Sequence, residues 1–90
     1  MTPAAIREVV LSALLRVAPE ADPALLNPQA NLRDQLDIDS MDFLNFIIRL
    51  HETLRVEIPE RDYAKLSNLD AIVAYLSHAL SAVQAQAGRS

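Results

Sequence analysis

Leu36-Asp37-Ile38-Asp39-Ser40-Met41-Asp42 is the stretch from which the rest of the chain can be read. It sets an acid and a serine directly in front of an apolar run in which Met41, Leu44, Ile47, Ile48, Leu50 and Leu54 recur at helical spacing. Asp and Ser are favoured helix caps, so a helix is expected to start near Ser40 and to run to about Leu54. Upstream the pattern is broken. From Ala18 to Asp39 the chain holds Pro19, Pro23 and Pro28 with Asp22, Asn27 and Asn31 among them, which forbids a continuous helix. A structureless loop of about 20 residues is long for a compact domain. Leu25, Leu26, Leu32, Leu36 and Ile38 are therefore expected to pack over the rest, with room for one short helical turn.

Further out the helical pattern returns on both sides. Thr2 can cap a first helix from Pro3 to Val17, where Ile6, Val9, Val10, Ala13, Leu14 and Val17 share one face. After Ile58-Pro59 a short helical turn is expected from Pro59 or Glu60 to about Leu66. Ser67 with Asp70 three residues on resembles a capping box for a last helix, whose stripe is Leu69, Ile72, Val73, Leu76, Leu80 and Val83. Residues 1–83 are read as a single domain and Gln84 to Ser90 as a frayed tail.

Composition agrees with this all-α reading. The chain has 90 residues, 51% hydrophobic and only 4% aromatic, with a single Gly, which disfavours a strand-rich fold. Twelve acids against eight bases give a formal charge of −4, the wrong sign for a nucleic-acid partner. Cys is absent, which removes disulfides, thiolate metal sites and thiol nucleophiles. No apolar run reaches the roughly 18 residues of a membrane span, and the N-terminus lacks the order of a secretory signal. A cytoplasmic, monomeric helical domain is the expectation.

Taken alone, Asp39-Ser40 is a cap. In the company of the long loop, the apolar helix and the later Val56-Glu57-Ile58-Pro59, it resembles the attachment signature of the acyl carrier protein family, which includes peptidyl and aminoacyl carrier domains. The resemblance covers nearly the whole chain. It implies an all-α, four-helix carrier bundle with three main helices, one short third helix and a long first loop. It also implies 4′-phosphopantetheine transferred from coenzyme A to Ser40 by a separate phosphopantetheinyl transferase, with Asp39 and Met41 completing the motif. Cargo would ride on the arm as a thioester, and with no Cys in the chain the arm's thiol would be the only one. The carrier itself would perform no catalysis. By the same resemblance Met41, Leu44 and Ile48 form an exposed stripe, rimmed by Asp42, Asn45, His51 and Glu52, that docks loading and acyl-transferring enzymes. One residue departs from the family's pattern: Asp37 stands where Gly is common. Asp reaches positive φ more readily than most residues, so the turn is expected to survive.

Rival readings carry less. His51 lies about three helical turns past Ser40, roughly 16 Å along the axis and beyond hydrogen-bond reach of its hydroxyl. The Gly-x-Ser-x-Gly elbow of a serine hydrolase is missing, and His78 is expected to face solvent. His51 and His78 alone make a weak metal set. Glu57, Glu60 and Asp62 are interspersed with Arg61 and Lys65, a solvated mixed-charge surface with no calcium-loop spacing. The remaining alternative is a helical interaction module in which Ser40 only caps. Between Asp39 and Leu54 the acids are only Asp39, Asp42 and Glu52, among Asn45, Arg49 and His51. The family's fatty-acid members usually carry a dense acidic second helix. The diluted rim therefore points to a dedicated partner in polyketide, aminoacyl or modified-lipid synthesis.

Overall fold

The computed structural model describes residues 2–87, the side chains of 83–87 excepted. Four α-helices and one 3₁₀ helix follow in order: α1 Pro3–Val17, α2 Leu32–Leu36, α3 Ser40–Leu54, the 3₁₀ helix Glu60–Lys65, and α4 Leu69–Ala87. Helix α1 starts as its sequence dictates, with the Thr2 hydroxyl accepting the Ala5 N–H at 3.2 Å and Pro3 in the first turn. It packs against both α3 and α4, and the 3₁₀ helix rests on α4. Ile6, Val10 and Leu14 of α1 meet Phe46, Ile47 and Leu50 of α3 and Leu69, Ile72 and Leu76 of α4 in one buried cluster. Bundle and short helix are those the sequence led us to expect.

The proline-broken segment is ordered by a few polar contacts. Asp22 and Asn27 close Asx turns on the Ala24 and Gln29 N–H groups, each at 2.9 Å. Gln35 clasps the loop from α2: its Nε2 donates to the Asn27 and Ala30 carbonyls, and its Oε1 accepts the Asn27 N–H. Two backbone bonds then tie the segment to the start of α4, Leu32 N–H to the Ser67 carbonyl at 2.8 Å and Asp70 N–H to the Pro28 carbonyl at 3.1 Å. Leu26, Leu32 and Ile38 are buried and Leu36 is half-buried. Leu25 is a correction: it stands 83% exposed, because the Asp22 turn aims only one of two adjacent leucines inward.

The start of α4 also differs from expectation. Its cap is Asn68, whose Oδ1 accepts the Ala71 N–H at 2.8 Å, and not Ser67. Ser67 instead offers its carbonyl to Leu32. At the other end α4 continues through Ala87, so the backbone of 84–87 is helical where a frayed tail was expected; 88–90 lie outside the described residues. The 3₁₀ helix is clasped to α4 by Asp62, which accepts the Tyr75 O–H at 2.7 Å and pairs with Lys65 at 3.2 Å. The Tyr75 hydrogen bond, aided by Lys65, holds the Asp62 carboxyl below its usual range against the upward pull of burial. Burial, then the bond to Asp62, pushes Tyr75 up to about 12. The clasp is thus complete above the ordinary carboxylate range and below pH 10. It is lost as pH falls through Asp62's lowered value or rises through about 12.

Two left-handed residues shape the turns, and neither is glycine: Asp37 at φ 53° and Arg55 at φ 56°. Asp37 ends α2, and the Ile38 N–H reaches back to the Arg33 carbonyl at 3.1 Å. Arg55 ends α3, where His51 Nδ1 donates to the Val56 carbonyl at 2.7 Å. Between these stops α3 shows two apolar faces. Phe46, Ile47 and Leu50 are buried, while Met41, Leu44 and Ile48 are 64%, 38% and 42% exposed. Phe43 lies between the two sets, half-buried.

Two predictions follow from the turns and the faces. At Asp37 a β-branched residue meets the left-handed penalty, so Asp37→Val is expected to cost about 1–2 kcal/mol, and Asp37→Gly to stay within about 0.5 kcal/mol of the parent. On α3, Ile47→Ala should cost about 2–5 kcal/mol and Ile48→Ala under about 1 kcal/mol, because only the first leaves a cavity. Chemical denaturation reads both pairs, and equal losses at 47 and 48 would contradict the two-faced helix.

Candidate functional site

Ser40 is the first residue of α3 and is exposed. Three upstream residues place it. Asp37 turns the chain at the end of α2, Ile38 drops into the core as an anchor, and Asp39 caps the helix. The Asp39 carboxylate accepts the Asp42 N–H at 2.8 Å, and its carbonyl accepts the Phe43 N–H at 3.0 Å. The Ser40 and Met41 N–H groups precede the helix's own hydrogen-bond ladder and lie at the positive end of its dipole. The cap role that sequence left open between Asp39 and Ser40 falls to Asp39, which leaves the serine hydroxyl uncommitted.

A groove of about 330 Å³ opens at this hydroxyl. Arg33 from α2, Phe43 and Leu44 from α3, and Tyr63 and Ala64 from the 3₁₀ helix form its walls. The Arg33 guanidinium lies 5.7 Å from the centre of the Phe43 ring. Sequence reasoning did not find Arg33 or Tyr63, because they reach Ser40 only through the packing of α2 and the 3₁₀ helix beside α3. No histidine is among the described residues lining this groove. The carboxylate nearest in sequence, that of Asp39, is engaged with the Asp42 N–H.

The expected partner residues divide. Asp42, Asn45, Ile48 and Glu52 line one open groove on the outer side of α3, facing Arg16 and Val17 from the end of α1 with Arg49 beside them. Met41 stands exposed next to Ser40, and Leu44 faces the groove of the hydroxyl. His51 is set apart: exposed, it closes the C-terminus of α3 through the Val56 carbonyl and lies near Glu57 and Ile58. His78 is exposed on α4.

Comparison with known proteins gives a consistent picture. The family model described as phosphopantetheine attachment site matches residues 4–76. The meromycolate extension acyl carrier protein of Mycolicibacterium smegmatis is 29% identical over 76 residues, 81% of this chain and 77% of that protein. The acyl carrier protein of Rubrobacter xylanophilus is 27% identical over 73 residues, 78% of this chain and 90% of its own length. That of Syntrophobacter fumaroxidans is 34% identical over 56 residues, 62% of this chain and 69% of the relative. The family match extends from α1 into α4 and takes in the whole Ser40 region. The chain therefore belongs to the phosphopantetheine-binding family of acyl carrier proteins, whose attachment domain bears a covalently attached 4′-phosphopantetheine group.

Proposed function

We propose that Ser40 is the residue that receives the arm, and that this carrier holds acyl-type intermediates on it as thioesters for separate enzymes. The observation that carries the reading is the free, exposed Ser40 hydroxyl at the start of α3, with Asp39 already engaged as the cap. The residues present fit a phosphodiester there. The residue is exposed, it stands at the positive end of the α3 dipole, and Arg33 lines the adjoining groove. When bound, the arm supplies a thiol that holds cargo; Ser40 supplies the anchoring oxygen. Met41, Leu44 and Ile48 supply an apolar docking patch with Asp42, Asn45 and Glu52 at its edge. His51, turned to the helix end, belongs to the margin of that surface.

The partners of this reading are a phosphopantetheinyl transferase, a loading enzyme and acyl-transferring enzymes, outside the housekeeping fatty-acid system. Arg49 and, from α1, Arg16 stand along the docking face beside Asp42 and Glu52, so a basic partner surface meets repulsion as well as attraction. The relatives' names divide between meromycolate extension and unqualified acyl carrier, and identities of 29% and 27% do not choose between them. Charge pattern is what favours the specialised role.

One experiment with two stages tests this. Incubated with coenzyme A and a promiscuous transferase, the protein should gain about 340 Da. Ser40→Ala should gain nothing and stay within about 0.5 kcal/mol of the parent, as an exposed change outside the cap should. A gain on Ser40→Ala removes the attachment assignment. The holo protein, offered to a fatty-acid ketosynthase at low salt, should be used about tenfold less well than that system's own carrier, two or three altered rim contacts at roughly 0.2–1 kcal/mol each giving that order. The gap should narrow with added salt. Equal use at low salt would return the protein to the housekeeping class.

A further inference from the structure

Adding a phosphodiester to Ser40 creates an electrostatic problem that is visible in the sequence and answered in the structure. Asp37, Asp39 and Asp42 all lie within three residues of the serine. Asp39 and Asp42 share the first turn of α3 with the site of attachment, so a further negative charge there meets carboxylates on either side. Among the described residues lining the groove at Ser40, Arg33 is the only cation. Its guanidinium forms no ion pair within 4 Å; the one pair among the described residues joins Lys65 to Asp62. Instead the Arg33 guanidinium carbon lies over the Phe43 ring, 5.7 Å from its centre, a cation–π contact that does not use its N–H donors. Guanidinium, hydroxyl and groove thus stand together, and the groove continues past Leu44 to Tyr63 and Ala64 of the 3₁₀ helix.

We infer that Arg33, held over the Phe43 ring, is the positioning residue for the arm: it pairs with the phosphodiester on Ser40 and lays the proximal arm along the groove between α2 and the 3₁₀ helix, away from the Asp42–Glu52 side of α3. The inference rests on Ser40 as the attachment residue. Its chemistry is that of an arginine–phosphate pair, in which the fork of N–H donors faces the two non-bridging oxygens. Lysine at 33 would keep the charge but not the fork of donors.

The test compares backbone amide NMR spectra of the apo and holo forms of the parent, Arg33→Gln and Arg33→Lys, after intact mass has shown one phosphopantetheine on each holo protein. In the parent, loading should shift the amides of Leu44, Tyr63 and Ala64 in addition to those beside Ser40. In Arg33→Gln the shifts at Tyr63 and Ala64 should fall by about twofold or more, the size expected when one exposed charged contact is removed, and Arg33→Lys should recover part of them. In the parent they should also shrink toward 1 M salt, where the Debye length is about 3 Å. The apo spectra should agree outside the immediate neighbours of residue 33, which separates a loss of arm contacts from a change of fold. Parent shifts confined to residues 39–42, or shifts at Tyr63 and Ala64 that survive in Arg33→Gln, would overturn the assignment. Absence of any mass gain would instead remove Ser40 as the anchor, a failure the mass reading identifies before a spectrum is taken.

Discussion

The left-handed turn at Asp37 is the constraint on which the functional end of this molecule depends. It stops α2 after five residues and redirects the chain, so that Ile38 enters the core and Asp39 emerges at the surface in cap geometry. A helix as short as α2 has no stability of its own; Asn31 at its start, the Gln35 clasp and the burial of Leu32 hold it. That hold fixes the turn, the turn fixes the cap, and the cap fixes where the Ser40 hydroxyl points. The chain makes this turn with aspartate, whose short polar side chain tolerates the left-handed region at modest cost. Its single glycine is residue 88.

Helix α3 then does two jobs with one length of sequence. Phe46, Ile47 and Leu50 are fully inside and fasten it to α1 and α4. Met41, Leu44 and Ile48 remain partly in water beside the serine. A carrier must meet several partners in turn and release each of them, so a small apolar patch with exposed charges suits it better than a large dry interface. Arg16 brings α1 into the same surface, so the docking face proposed above is built from two helices and carries both signs of charge. Such a rim is better at rejecting wrong partners than at adding affinity.

Much of this was legible in the sequence where local chemistry and burial agree. Both ends of α1 and of α3 follow from Thr2, Pro3, Pro19, Asp39 and the apolar spacing, and Asp37 announced a positive φ. The start of α4 was ambiguous because Ser67 and Asn68 are adjacent and both good caps. A long-range bond from the Leu32 N–H to the Ser67 carbonyl joins the loop there, and no local rule contains that contact. Leu25 and Leu26 posed a similar choice, decided by the turn at Asp22. The helix runs past Gln84 because Ala and Gln are good helix formers and no stop signal intervenes before Gly88. The exposed stripe of Met41, Leu44 and Ile48 was expected from the family resemblance. The groove was not, since Arg33 and Phe43 meet only once α2 has been turned against α3.

The central claim is that Ser40 carries a phosphopantetheine arm with an acyl-type cargo. The most direct measurement is fragment mass spectrometry on the protein purified from its native cells, with and without hydroxylamine to release thioesters. The account predicts one phosphopantetheine ester, located by the fragments to Ser40, bearing a hydroxylamine-labile acyl group that differs from the housekeeping fatty-acid intermediates. An arm on another serine, or a Ser40 found unmodified throughout, would contradict it.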